Sequence, residues 1–112
     1  MNPLDYSLCC QTVTVYRAGE GVPVRIIYSH AYLEHKRVFQ EDTHGKAEQE
    51  GFLLILPGEE TALQVGDWVL VGEGPQVSGL EELAVLPGIG RITLLRPCYW
   101  EGRQCHVEAE GR

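Results

Sequence analysis

The sequence has no apolar run long enough to cross a membrane as a helix. Phe52 to Leu56, among its longest, is five residues, against the ~20 that a spanning helix needs, so no membrane association is expected. Nor does the chain open on a basic region followed by an apolar stretch, the pattern of a secretory signal, and it reads as intracellular. Basic residues are scarce. Nine Lys and Arg stand against sixteen Asp and Glu, a formal charge of −7, which repels phosphate and argues against sequence-specific nucleic-acid binding. Catalytic patterns are missing as well. No Ser or Cys lies in a nucleophile elbow, and no pair of carboxylates fixes acid and base roles. Gly72-Glu-Gly-Pro75 and Gly88-Ile-Gly90 are followed by neither Lys-Ser/Thr nor a long helix, so they read as turns rather than phosphate cradles. The residues therefore imply no enzyme and no cofactor.

What remains is turn-rich and apolar enough to fold. A chain of 112 residues that is 44% hydrophobic suits one domain with its own core. Thirteen Gly and six Pro spread along the chain separate short segments, as in an all-β fold. Residues 1–11 read as a leader arm. Thr12 to Arg17 alternates as a strand, with Val13 and Val15 on one face and Thr12, Thr14 and Tyr16 on the other. A turn at Ala18 to Gly21 leads to Val24–Leu33, a strand apolar on both faces and so expected to lie centrally, covered on two sides. Glu34 to Gln40 is a possible third strand. Glu41 to Gly51 has no apolar periodicity and reads as a long exposed loop. Its residues Glu41, Asp42, Thr43, His44, Gly45, Lys46, Glu48 and Glu50 are the interaction candidates.

Phe52–Leu56 reads as a buried strand, and Gly66 to Gly72 as a strand entered by a Gly-Asp turn, with Trp68 and Leu70 on one face and Val69 and Val71 on the opposite one. Ser78-Gly-Leu-Glu81 has capping-box spacing, with Ser78 as the cap, and Leu80, Leu83 and Leu86 fall at helical spacing, so residues 78–86 are expected to hold a short helix. The last two strands flank a tight turn at Glu101-Gly102. A two-residue turn sets Trp100 opposite Arg103, Tyr99 opposite Gln104 and Cys98 opposite Cys105. Cys98, Trp100, Cys105 and Val107 then face inward, and Tyr99, Gln104, His106 and Glu108 outward. The expected core is Val13, Val15, Ile26, Leu54, Trp68, Leu70, Ile92, Leu94, Cys98, Trp100, Cys105 and Val107. The expected fold is a mainly antiparallel β-barrel or sandwich of about seven strands with one short helix.

Cys98, Cys105 and His106 have metal-ligand chemistry. The two-residue turn nevertheless places His106 on the face opposite both cysteines, and neither Cys-x-x-Cys nor His-x3-His spacing occurs, so no metal site is expected. A cross-strand Cys98/Cys105 pair lies about 5.5 Å apart at Cα in a hydrogen-bonded site, within disulfide reach, but reduced thiols filling core space are expected. His30 and His35 stand isolated.

Three stretches, Asn2 to Leu8 with Thr12 to Arg17, Gly66 to Pro75, and Pro97 to Ala109, together resemble small structural proteins of tailed phages and prophages. Those are minor capsid or head-tail connector (stopper, head-completion) proteins. The resemblance implies a small barrel with a long loop, assembling as a ring between portal or adaptor proteins and the tail, in the virion or in the bacterial cytoplasm that makes it. It also implies a homo-oligomer on assembly whose isolated chain can be monomeric. An acidic channel lining would let DNA pass without trapping it. The competing reading is a free-standing SH3- or OB-like binding module for a host protein or small ligand, with Tyr16, Tyr28 and Tyr32 forming a pocket.

Overall fold

The computed structural model describes residues 6–42, 45–58 and 62–112, with the backbone alone over 36–42 and 45–50. Six strands and one helix are present among them: β1 (Gln11–Arg17), β2 (Val24–Asp42), β3 (Gly45–Pro57), β4 (Trp68–Val71), α1 (Leu80–Ala84), β5 (Gly90–Trp100) and β6 (Arg103–Gly111). They form a closed barrel in the order β1-β2-β3-β6-β5-β4, with β4 pairing back onto β1. Every pairing is antiparallel. No described helix is long and apolar enough to cross a membrane.

Two apolar layers hold the barrel. Its interior is filled by Val13, Val15, Leu33, Phe52, Leu54, Leu56, Val69, Ile92 and Val107, with Ala31, Leu63 and Ala109. Outside β1 lies a smaller cluster of Tyr16, Val77 and Leu83, flanked by Trp68, Leu70, Leu86 and Ile89. This second layer corrects the expectation that β2 is the strand covered on both sides. Thr14 and Tyr16 are fully buried on the outer face of β1, whereas Val24 and Ile27 of β2 are exposed. The segment after β4 covers β1 because its backbone is bonded there. Thr14 Oγ1 donates to Gly72 O at 2.8 Å and accepts from Gly74 N at 2.7 Å. Tyr16 donates its hydroxyl proton to Pro75 O at 2.6 Å. Tyr16 is thus an interior residue and cannot line the surface pocket expected of a binding module.

Asp67, 2% exposed, tightens the entry to β4. It accepts two bonds from Arg17, at 3.0 and 2.8 Å, and one from Gln64 N at 2.9 Å. A buried carboxylate persists only where its oxygens are satisfied in this way.

The stretch expected as a long loop is largely strand. Pairing of β2 with β3 runs without a break from Tyr32↔Ile55 to Asp42↔Gly45. Glu41 and Asp42, and 45–51 on the other side, are therefore ladder residues, and Val38–Phe39 belongs to β2 rather than to a separate strand. Six strands result instead of about seven. A ribbon outside the barrel has no interior to face, so it needs no apolar alternation, the signal used to recognise strands. Thr43 and His44 lie outside the described residues.

The helix is shorter than 78–86, and Gly79 rather than Ser78 occupies the N-cap, with no side-chain cap bond. Ser78 instead donates its hydroxyl and backbone N–H to Glu82, at 2.7 and 3.1 Å. These bonds hold the Glu82 carboxyl below its usual range, the hydroxyl being the larger cause.

Gly111 and Gly90 sit where β5, β6 and Phe52 meet. A Cβ on Gly111 would collide with the Arg91 carbonyl oxygen and the Phe52 ring. Because one obstacle is backbone, relaxation is limited. Gly111→Ala is expected to lower stability by about 2–3 kcal/mol, at the upper part of the usual overpacking range. Urea denaturation checks this; an unchanged midpoint would show that the junction is looser than described.

Candidate functional site

The β5–β6 hairpin has the turn its sequence announces. Glu101 and Gly102 both take positive φ, 50° and 78°, the type I′ pattern that matches strand twist. Trp100 faces Arg103 and Tyr99 faces Gln104 as expected, but Cys98 then faces His106, not Cys105. Cys105 is the extra residue of a β-bulge, and Thr93 is the extra residue of a second bulge in β5 between Ile92 and Leu94. Each bulge shifts the alternation of a strand by one residue.

These two shifts account for the expected core residues that are misplaced on β5 and β6. Val13, Val15, Leu54, Ile92 and Val107 are buried inside the barrel. Trp68 and Leu70 pack instead in the outer cluster, and Ile26 is half-buried. Beyond Thr93 the strand is out of phase with the expectation, so Leu95 packs on the core while Leu94 and Trp100 are 45% and 46% exposed. Cys98 and Cys105 are half-buried free thiols rather than core filling, and the bulge separates them in the ladder. His30 and His35 are exposed.

The same shift gathers ligand chemistry that a regular hairpin would have split. Cys98 and His106 are cross-strand partners, and Glu108, two residues past His106, shares its face. Cys98 Sγ donates to Glu108 Oε2 at 3.2 Å, and His106 Nε2 lies 3.2 Å from the same oxygen. The donor atoms of the three residues all fall within 4.8 Å of one another. Arg96 sits beyond, 3.9 Å from Glu108 Oε1 and 3.1 Å from Glu110, so the two oxygens of Glu108 are divided between Arg96 and the Cys98/His106 side. The thiol and His106 hydrogen bonds keep the Glu108 carboxyl below its usual range. Burial, with the adjoining carboxylate second, pushes the Cys98 thiol up.

His106 is 7% exposed although it points outward, because the leader covers it. Tyr6 Oη lies 2.7 Å from His106 Nδ1, and the two rings meet edge-to-face with centroids 5.5 Å apart. In the neutral ring, Nε2 facing an ionised carboxylate carries the proton, so Nδ1 accepts from the Tyr6 hydroxyl. Leader residue Tyr6 is therefore tied to the hairpin 100 positions away. The Glu108 contribution was readable from its i+2 spacing to His106, whereas nothing in the sequence points to Tyr6.

The interaction candidates Glu41, Asp42, Gly45, Lys46, Glu48 and Glu50 stand on the β2–β3 ribbon, and their side chains are not described. No family model, characterised protein or solved structure matches the chain.

Losing the Tyr6 hydroxyl leaves His106 Nδ1 buried without its donor. Tyr6→Phe is expected to cost about 1–3 kcal/mol and to speed amide exchange at Cys9 and Cys10. Thermal denaturation and hydrogen-exchange NMR measure the two effects; wild-type values for both would show that the contact does not hold the leader.

Proposed function

We propose that this chain is a structural subunit of a phage or prophage particle, a connector or stopper placed in a ring at the head-tail junction. Its work is docking rather than catalysis. The observation that carries this reading is the pair of hairpins at opposite ends of the β3–β6 strip. β3 pairs with β6 from Phe52↔Gly111 to Pro57↔His106. Before Phe52, β3 continues as a ribbon with β2 alone, seven residue pairs from Lys36↔Gly51 to Asp42↔Gly45. At ~3.3 Å per residue the ribbon is about 23 Å long. Past His106, at the other end, β6 runs on into the Glu101-Gly102 turn, where Tyr99 and Trp100 are 65% and 46% exposed.

A subunit that joins two neighbours needs a contact surface at each end, and the two hairpins supply surfaces of different kinds. Among the described residues, the ribbon pairs with no third strand, so its edges offer main-chain donors and acceptors for strand addition by an adjoining subunit. The opposite end offers exposed aromatics, the residue type enriched where interfaces bind most strongly. The radius of gyration of 15.1 Å, against about 13 Å for a compact chain of this length, agrees with a body that reaches outward. The three sequence stretches that resemble phage connector proteins supply the particle, and the net charge of −7 suits a channel that DNA traverses without sticking.

Two variants test the reading in particles made without the native gene and supplied with the protein in trans. Replacing 36–50 with a two-residue turn is expected to leave a folded barrel, checked by circular dichroism. In electron micrographs it should yield DNA-filled heads that leak or lack tails. Trp100→Ala, at an exposed position, should lower infectious titre at least tenfold with little change in stability. Normal tailed, infectious particles from the ribbon deletion, or from a genome lacking the gene, would discard the proposal.

A further inference from the structure

We propose that Cys98, His106 and Glu108 form a binding site for a zinc-class divalent cation on the outer face of the barrel. The inference is independent of the connector reading, since it rests on the side chains of the β5–β6 hairpin alone. The three donors are a thiol, an imidazole and a carboxylate, a mixed set that suits zinc rather than magnesium or calcium, which prefer oxygen. Their spacing is suitable. Tetrahedral zinc with ordinary bond lengths holds such donors about 3.4–3.6 Å apart. Here Glu108 Oε2 lies 3.2 Å from both Cys98 Sγ and His106 Nε2, with all three atoms inside 4.8 Å. A cation entering among them needs Glu108 Oε2 to open by only a few tenths of an ångström from each of the other two donors.

The surroundings favour the same chemistry. Arg96 takes Glu108 Oε1, which leaves Oε2 on the side of the thiol and the imidazole. Tyr6 holds Nδ1 of His106, the outer contact that orients a metal-bound imidazole. Cys98 and Glu108 are half-buried, so water can complete a fourth position. On binding, Cys98 loses its thiol proton to solvent and the S–H···Oε2 bond gives way to a metal–thiolate bond. His106 keeps one proton, which moves from Nε2 to Nδ1 and is then donated to Tyr6 Oη, while Nε2 binds the cation. Binding thus fastens three points at once: β5, β6 and the leader through Tyr6.

The test uses the full chain, reduced, stripped with chelator, and titrated with Co2+ as a spectroscopic probe before competition with Zn2+. One Co2+ per chain is expected, with a thiolate-to-cobalt charge-transfer band and strong visible d–d bands, both displaced by Zn2+. Cys98→Ala should abolish the charge-transfer band, and Cys105→Ala should keep it. Tyr6→Phe should weaken binding about 10–100-fold, as for other second contacts of a metal-bound histidine. If Cys98→Ala does not fold, Glu108→Gln decides, a loss of at least tenfold in affinity supporting the site and unchanged affinity overturning it. Absence of a thiolate band in the wild type, or its persistence in folded Cys98→Ala, would also overturn it.

Discussion

The structure depends on β1 being paired along both edges. Seven residues long, it bonds to β2 on one side and β4 on the other, and that double pairing turns a meandering sheet into a closed ring. Closure leaves the barrel strands no free edge within the ring and encloses the interior cluster built on Val13, Val15 and Leu54. It also explains the outer layer. With its inner face committed to the core, β1 can bury Thr14 and Tyr16 only beneath another segment, and the Gly72 to Val77 stretch is drawn there by the three hydrogen bonds of the Thr14 and Tyr16 side chains and by Gly72 N donating to the Thr12 carbonyl. Arg17 ends the strand by locking onto Asp67, so the approach to β4 is fixed by the residue that finishes β1.

Much of this was legible in the residues. Alternation at Val13 and Val15, the apolar run at Phe52–Leu56, the Gly-Asp entry to Trp68 and the Glu101-Gly102 turn all mark elements found where they were expected. Two causes account for the misread ribbon and β5–β6 hairpin. One is that strand recognition relies on one face being buried, a condition the ribbon does not meet. The other is that a β-bulge leaves no trace in composition. Thr93 and Cys105 look like ordinary strand residues, yet each reverses the phase of the residues beyond it. Leu94, Trp100 and Cys98 were misplaced for that reason alone. The helix cap failed differently: Ser78 does bond a glutamate of the first turn, but that glutamate is Glu82, one residue further along, and Gly79 takes the cap position in place of Ser78.

The bulge at Cys105 connects the fold to the chemistry of the hairpin. A regular ladder would set Cys98 beside Cys105 and turn His106 away. The inserted residue instead brings a thiol, an imidazole and a carboxylate to one patch and presents the imidazole to Tyr6. Local irregularity in a sheet has this general use, since it can re-aim a side chain without altering the strand order. The barrel supplies rigidity, the two projecting hairpins supply reach, and the bulge decides which groups meet on one of them.

The uninterrupted course of β2 has a mechanical consequence. The same nineteen-residue strand that forms one side of the ribbon continues into the barrel wall and pairs there with β1. Ladder hydrogen bonds lie across the strand direction, so a pull along the ribbon loads the β1–β2 bonds in shear, all together rather than one after another. A tug on the projecting arm is thereby shared by the wall of the ring instead of being absorbed at a hinge.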